Sequence, residues 1–225
     1  MEFIESCYMC DSPSSTREHA PPLCVFPESK DLGDGRNLRK NLITVPSCAE
    51  HNLRYSNDDE YFLVIVTSNL EGNTRRDEQF GSKVIRALQR SPAFIRTAFQ
   101  APRPATVNGQ PSMLFTVDRA RVERVIEKVT RAIHYHHTGG RKLLAKLRII
   151  LPTLRTPTGS IDERVVPLGG LLQRWPEPWI GDNPEVFTYR LNVQPNIGGS
   201  FLQMSFYEGF AALVSWADLS LVDAG

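Results

Sequence analysis

The sequence predicts an α+β protein in which a small zinc-stabilised module, residues 1–72, precedes an α+β accessory domain, residues 73–225. Three observations lead to this prediction. Two pairs of potential metal ligands lie near the start, an amphipathic helix is expected at about 119–138, and strand-like segments follow residue 141. The 225 residues, 41% of them hydrophobic, suffice for one or two compact domains.

The first element is a pair of closely spaced ligand sets. Cys7 and Cys10 are separated by two residues in "SCYMC", and Cys48 and His51 are separated by two residues in "SCAEH". Each pair can close on a metal from a tight turn. Together they offer three thiolates and one imidazole, a complete tetrahedral set for structural zinc. Cys24 has no partner at this spacing and is expected to be packed as a small hydrophobic residue.

The order of motifs over residues 5–66 resembles the HNH endonuclease family. The motifs are the first Cys pair, Glu18-His19 before two prolines, "NLITVP", and Cys-x2-His followed by Asn52. In that family such motifs belong to a zinc-bound, treble-clef-like ββα module. Glu18 stands where the family usually has Asp, and Asn52 stands where it often has a last His. The resemblance therefore implies an H-N-N version of the site.

The resemblance also implies roles for individual residues. His19 is the expected general base, because a neutral imidazole can accept a proton near physiological pH. Glu18 and Asn52 are expected to hold one catalytic Mg²⁺ or Mn²⁺ through hard oxygen ligands. Asn41 is expected to fix the loop that carries His19. Zinc on Cys7, Cys10, Cys48 and His51 would then be structural.

The charge distribution is uneven, although the net charge is only +1. Residues 74–148 carry 16 Lys/Arg against 5 Asp/Glu, a difference of +11, and acidic segments flank them. A basic middle part suggests a surface for a polyanion, while arginines paired with the acidic parts are the alternative.

The helix expected at about 119–138 divides into two stripes. Asp118 caps its start and Gly139-Gly140 ends it. The apolar stripe is predicted to be core and consists of Val122, Val125, Ile126, Val129 and Ile133. The basic stripe on the other side consists of Arg121, Arg124, Lys128 and Arg131. It is either a solvated face or a phosphate-binding ridge, and a nuclease requires the ridge.

The sequence also predicts the secondary structure of several other segments. The apolar run 61–66 is interpreted as helix rather than strand, and residues 82–100 as two short helices broken at Ser91-Pro92. Residues 101–111 read as a linker-like loop, followed by a strand at 112–118. The three histidines His134, His136 and His137 do not share one helix face, so they are expected to be structural.

The later part of the chain reads as strands joined by turns. Four strand-like segments follow residue 141, a Pro/Trp-rich connection is expected at 172–185, and Glu208-Gly209 reads as a hairpin turn. This part is expected to position the substrate or to bind a protein partner.

The expected function is metal-dependent hydrolysis of phosphodiester bonds in DNA, with RNA as the alternative substrate. By family analogy such proteins serve restriction or phage defence. A non-catalytic, zinc-stabilised module that binds nucleic acid or another protein is the rival interpretation. No apolar run approaches membrane-spanning length and the acidic start lacks a basic leader region, so a cytoplasmic location without membrane contact is expected.

Overall fold

The computed structural model describes residues 5–53, 55–107, 109–154, 175–193 and 199–217. Its helices are α1 (Ala49–Leu53), α2 (Ser56–Thr67), α3 (Thr74–Gln79), α4 (Ile85–Arg90), α5 (Pro92–Ala98) and α6 (Arg119–His137). Its strands are β1 (Thr16–Ala20), β2 (Ile43–Ser47), β3 (Gln100–Val107), β4 (Gln110–Thr116), β5 (Arg148–Ile150), β6 (Ile180–Asn183), β7 (Phe187–Asn192), β8 (Ser200–Phe206) and β9 (Phe210–Trp216). This mixture of helix and sheet confirms the α+β prediction.

The N-terminal part contains a two-stranded antiparallel sheet followed by helices. β1 and β2 pair so that Glu18 lies opposite Val45 and His19 opposite Thr44. α1 begins directly after β2, and α2 follows after a short break. The run 61–66 lies inside α2, which confirms the helical interpretation of that segment.

Helix α6 follows the predicted pattern closely. The side chain of Asp118 accepts a hydrogen bond from the backbone N–H of Arg121, which confirms the cap. All five residues of the predicted apolar stripe are fully buried. Gly139 and Gly140 follow the helix with φ values of 65° and 94°, a left-handed conformation that glycine adopts without strain.

The predicted break at Ser91-Pro92 is confirmed. The hydroxyl of Ser91 accepts a hydrogen bond from the backbone N–H of Phe94, and Pro92 occupies the first turn of α5, where a missing N–H costs nothing. The helical region begins earlier than expected, at Thr74, and a π-helical turn, Phe80–Val84, joins α3 to α4.

The expectation of a linker-like loop at residues 101–111 was wrong. Most of these residues belong to the antiparallel pair β3–β4, in which Arg103 lies opposite Leu114. The prolines in this segment suggested a loop because proline cannot donate to a strand ladder. In an isolated two-stranded sheet, however, both strands are edge strands, where proline is tolerated. The rings of Phe99 and Phe115 hold the base of this hairpin in an edge-to-face contact at 4.7 Å.

The C-terminal part forms a five-stranded antiparallel sheet with the order β5-β9-β8-β7-β6. The predicted strands are confirmed, and the turn between β8 and β9 includes Glu208 and Gly209 as expected. The segment 172–185 was predicted to be only a connection, but it also contributes the edge strand β6. The part of that connection before Trp175 lies outside the described residues.

One hydrophobic core runs through both predicted domains. Phe62 of α2 contacts Phe206 of β8 and Phe210 of β9, with ring centroids 5.1 and 5.9 Å apart. The N-terminal 72 residues are therefore packed directly on the C-terminal sheet. Among the described residues, no helix combines the length and apolar character that crossing a membrane requires.

Candidate metal centre and adjoining pocket

Four predicted zinc ligands converge on one point. The ligand atoms of Cys7, Cys10, Cys48 and His51 all lie within 4.8 Å of one another. Nδ1 of His51 is 3.7 Å from the sulfur of Cys7, 3.5 Å from that of Cys10 and 3.1 Å from that of Cys48. The sulfurs of Cys10 and Cys48 are 3.9 Å apart.

These spacings fit the edges of a zinc tetrahedron. Bond lengths of about 2.3 Å to sulfur and about 2.05 Å to nitrogen place two sulfurs roughly 3.8 Å apart and a sulfur and a nitrogen roughly 3.6 Å apart. The distances within the cluster agree with these values to within about half an ångström. The Cys3His set can therefore hold a metal ion such as zinc.

Backbone contacts bring the two ligand pairs together. The N–H of Tyr8 donates to the carbonyl of Pro46 at 2.9 Å, which ties the first cysteine loop to β2. Cys48 follows β2 directly, and His51 lies in the first turn of α1. The end of the strand and the start of the helix therefore place both ligands beside the metal cluster. Hydrogen bonds from Ser12 hold the pKa of the Cys10 thiol below its usual range, which favours the thiolate that a metal needs.

A pocket of about 260 Å³ adjoins the end of β1. Its lining residues are Arg17, Glu18, His19, Pro22, Leu23, Cys24, Asn52, Ser56, Asp59 and Glu60. Three residues that the sequence predicted for catalysis or metal binding, Glu18, His19 and Asn52, thus share one pocket. Glu18 and His19 belong to β1 and Asn52 belongs to α1. His19 and Asn52 are 33 residues apart along the chain.

Glu18 lies on the buried side of β1 and is only 5% exposed. Its Oε1 forms an ion pair with Nζ of Lys128 at 3.1 Å, and its Oε2 has no hydrogen-bond partner among the described residues. Burial raises the pKa of Glu18, while the ammonium of Lys128 opposes this effect. A buried carboxylate with one oxygen free is suited to bind a cation.

His19 lies on the other side of β1 and is partly buried. Burial lowers its pKa, and the positive charge of Arg39 lowers it further. The imidazole is consequently neutral at physiological pH, which is the protonation state that a general base requires.

Asn52 is held in place by a hydrogen bond to β1. Its Nδ2 donates to the hydroxyl oxygen of Thr16 at 3.0 Å. Because the amide nitrogen takes this bond, the amide oxygen is the atom left to bind a cation. The contact also fixes α1 against β1, so it couples the metal cluster to the pocket.

Asn41 does not line the pocket that contains His19. It has a φ of 54° and contributes to a second pocket of about 180 Å³, together with His136 and Asp182. In this second pocket the N-terminal part meets the C-terminal sheet. The role predicted for Asn41, fixing the loop that carries His19, stays a prediction.

The basic stripe of α6 differs from the expectation, because its members are engaged with protein groups. Arg121 and Arg124 each donate to one carboxylate oxygen of Asp58 at 2.7 Å. Arg131 pairs with Glu127 at 2.6 Å and also donates to the carbonyl of Leu143.

Lys128 departs furthest from the predicted stripe. Its side chain is 1% exposed, so the expectation that it faces away from the core was wrong. Two acidic side chains in the interior, Glu18 and Asp59, draw its ammonium inward. Arg124 has the most exposed side chain of the four, at 45%. DNA binding by the stripe stays a prediction.

Asp59 is a site residue that sequence reasoning missed. Its carboxylate lines the pocket and binds Nζ of Lys128 through both oxygens, at 2.7 and 2.8 Å. An acid near the start of a helix is usual because it interacts favourably with the helix dipole, so its position alone indicates no chemical role. The available signal was its position three and seven residues before Phe62 and Val66, which places it on a buried face of α2.

Two of the histidines and the cysteine that were expected to be structural form hydrogen bonds with other protein groups. Nδ1 of His134 lies 3.1 Å from the carbonyl oxygen of Arg141, and Nε2 of His137 lies 2.8 Å from the hydroxyl of Tyr189. Burial raises the pKa of Tyr189 to about 12. The thiol of Cys24 donates to the backbone carbonyl of Asp59 at 3.5 Å, and burial raises its pKa to about 12, so it is a packed, unreactive thiol.

Comparison with known proteins gives no family assignment. No protein-family model, no curated protein and no solved structure matches the chain. The geometry of the cluster and of the adjoining pocket is therefore the basis for a proposal about function.

Proposed function

We propose that this protein is a metal-dependent endonuclease of the HNH type that hydrolyses phosphodiester bonds in DNA. The observation that supports it most is the shared pocket of about 260 Å³, which brings Glu18, His19 and Asn52 together. A binding module that only needs zinc for stability has no use for a buried carboxylate beside a neutral imidazole. The pocket and the Cys3His cluster are also joined through α1, which carries both His51 and Asn52.

The donor set of the pocket fits a hard divalent cation. Glu18 offers a free carboxylate oxygen and Asn52 an amide oxygen, and both are ligands that Mg²⁺ and Mn²⁺ prefer. These two residues would hold the ion. When bound, it supplies charge stabilisation at the phosphate.

His19 would activate the attacking water. Its neutral imidazole takes a proton from the water, whose oxygen then forms the new bond to phosphorus while the bond to the leaving oxygen breaks. The partly buried position and the nearby charge of Arg39 keep the imidazole unprotonated before this step.

Arg17 is suited to position the backbone of the nucleic acid. It lines the same pocket, and its side chain is 58% exposed. The guanidinium donates to the carbonyl and hydroxyl oxygens of Thr44 at 3.2 Å, which orients it, and it forms a longer, exposed ion pair with Glu5 at 3.8 Å. A phosphate at the mouth of the pocket can therefore pair with it.

The test is cleavage of supercoiled plasmid DNA by the zinc-loaded protein with Mg²⁺ or Mn²⁺. We expect the wild type to nick the plasmid, and His19→Ala to be slower by about 10²-fold or more, as for loss of a general base. His136→Ala is the matched control, because this histidine is exposed and lies outside the pocket. It should cleave at the wild-type rate.

Two results would contradict the proposal. Equal rates for His19→Ala and the wild type would remove His19 from catalysis. DNA or RNA binding by the zinc-loaded wild type without cleavage under any metal condition would favour the non-catalytic binding module, and binding of a protein instead would favour an interaction module.

A further inference from the structure

An ion cluster drawn from three elements adjoins the pocket, and two of its members, Glu18 and Asp59, line it. Lys128 of α6 places its ammonium between Glu18 of β1 and Asp59 of α2. Nζ lies 3.1 Å from Oε1 of Glu18 and 2.7 and 2.8 Å from the two oxygens of Asp59. The ring of Tyr55 lies near the same ammonium, with its centroid 5.9 Å away.

Three carboxylate oxygens surround the ammonium of Lys128 within this cluster. An ammonium group has three N–H donors and no acceptor. Nζ donates hydrogen bonds to both oxygens of Asp59 and forms an ion pair with Oε1 of Glu18, and the side chain is 1% exposed. Lys128 therefore contacts neither solvent nor a phosphate.

When both carboxyl groups are ionised, the cluster carries one negative charge more than Lys128 neutralises; burial raises the pKa of Glu18 and of Asp59, and the ammonium of Lys128 opposes this effect. Two carboxylates, Glu18 and Asp59, face one ammonium, and Oε2 of Glu18 has no partner among the residues that the structure describes. A buried charge without a partner is costly in free energy. A cation from solvent can compensate the remaining charge, and the oxygen left for it belongs to Glu18.

The position of Lys128 also limits where such a cation can bind. Oxygens of both carboxylates lie within 3.1 Å of a single nitrogen, so the space between them is taken. Without the ammonium, two neighbouring carboxylates would form a much stronger site for a divalent ion.

We propose that Lys128 is a positioning residue that occupies the cation position between Glu18 and Asp59 and thereby confines a divalent metal ion to Oε2 of Glu18 and the amide oxygen of Asn52. This inference rests on the proposed nuclease function, in which that metal acts. Lys128 keeps the carboxylate of Glu18 in one orientation and keeps Asp59 out of the metal site.

The test measures Mn²⁺ binding rather than cleavage. The full-length, zinc-loaded protein is titrated with Mn²⁺ at one fixed pH and followed by electron paramagnetic resonance of the free ion. We expect the wild type to bind about one Mn²⁺ in the pocket. Lys128→Met removes the ammonium at similar volume, and we expect Mn²⁺ affinity to rise by more than about tenfold, because two carboxylates then face the ion. A purely structural role of Lys128 would leave the affinity unchanged or lower it.

Arg75→Met is the matched control. Arg75 binds the carboxylates of Asp34, Glu78 and Glu185, none of which lines the pocket, so its removal frees acidic groups elsewhere. This variant should bind Mn²⁺ as the wild type does. A rise equal to that of Lys128→Met would mean that any freed carboxylates attract the ion, and it would overturn the proposal.

Asp59→Asn keeps the proposal testable if Lys128→Met does not fold. Without the charge of Asp59, the ammonium is drawn to Glu18 alone, and Mn²⁺ affinity should fall by more than about tenfold. Zinc content and circular dichroism establish that each variant is folded. An unchanged Mn²⁺ affinity in either folded variant would overturn the role of Lys128. Absence of plasmid cleavage, with these affinity changes present, would instead overturn only the proposed nuclease function.

Discussion

The sulfur of Cys48 lies 3.1 Å from Nδ1 of His51, three residues further along the chain. This contact joins the end of β2 to the first turn of α1. Through α1 it reaches Asn52, whose side chain donates to Thr16 of β1 at 3.0 Å. The metal cluster therefore supports the geometry of the pocket, because α1 contributes His51 to the cluster and Asn52 to the pocket.

Zinc content is the first prediction. The purified protein should carry about one zinc per chain, and Cys48→Ser should lose it together with much of the folded structure, because binding of a structural metal contributes to folding. Metal analysis by mass spectrometry checks this. Cys24→Ser is the control, since that sulfur lies outside the cluster. A folded Cys48→Ser protein that keeps a full zinc complement would contradict the assignment.

The salt dependence of DNA binding tests whether the more exposed arginines contact phosphates. Arg17→Gln and Arg124→Gln each remove a positive charge whose side chain is 58% and 45% exposed and pairs with Glu5 and Asp58, respectively. Each should reduce the slope of log affinity against log salt by about 0.9, the value for one phosphate contact on duplex DNA. Fluorescence anisotropy without divalent metal measures this slope.

The control for salt dependence is Arg131→Gln, which removes a side chain that is 15% exposed and paired with Glu127. Its slope should equal that of the wild type. Unchanged slopes for Arg17→Gln and Arg124→Gln would mean that neither residue contacts the DNA backbone, and the DNA-binding surface would then lie elsewhere.

Gly209 is predicted to be essential for packing between the two parts of the chain. A Cβ atom at this position would lie 2.0 Å from the backbone carbonyl oxygen of Glu71, and backbone atoms cannot move away as a flexible side chain can. Gly209→Ala should therefore destabilise the protein by roughly 1–3 kcal/mol or more. Thermal unfolding measures the change.

Gly81→Ala is the matched control for Gly209. A Cβ at Gly81 meets no atom within 4 Å among the described residues, and the position is helical, so alanine should leave stability unchanged or raise it by up to about 1 kcal/mol. Equal midpoints for Gly209→Ala and the wild type would show that the turn does not pack on Glu71 in solution.

Stability should depend on pH through His137. Partial desolvation lowers the pKa of His137, whose residue is otherwise exposed, and the neighbouring His136 and His134 lower it further. The unfolded chain, with an ordinary histidine pKa of about 6.5, therefore binds a proton that the folded chain does not bind. Stability from this residue is present above about pH 6.5 and is lost as the pH falls through the lower pKa of the folded state.

The variant that tests this dependence is His137→Gln. It lacks the hydrogen bond to Tyr189, so it should be less stable than the wild type at pH 7.5, and the difference should shrink at pH 5.5. Urea unfolding at the two pH values measures both differences. A difference that stays constant or grows at low pH would contradict the assigned direction of the pKa change.

The sequence by itself determined the features that depend on short-range patterns. The two ligand pairs were recognisable because two-residue spacing lets a turn close on a metal. Asp118 and the apolar stripe of α6 were recognisable because capping and helical periodicity are properties of residues three or four positions apart. The confirmed strands of the C-terminal sheet follow from β-branched and aromatic runs between turn residues.

Only the tertiary structure decided which polar groups meet in the interior. Lys128 belongs to a basic stripe in the sequence, yet Glu18 lies 110 residues before it and draws its side chain inward. Helical periodicity assigns a residue to a face of its own helix but carries no information on which charged groups the neighbouring elements present. The same reason applies to Asp59. In β3–β4 the strands are close along the chain, and their antiparallel pairing overrides the local signal of the prolines.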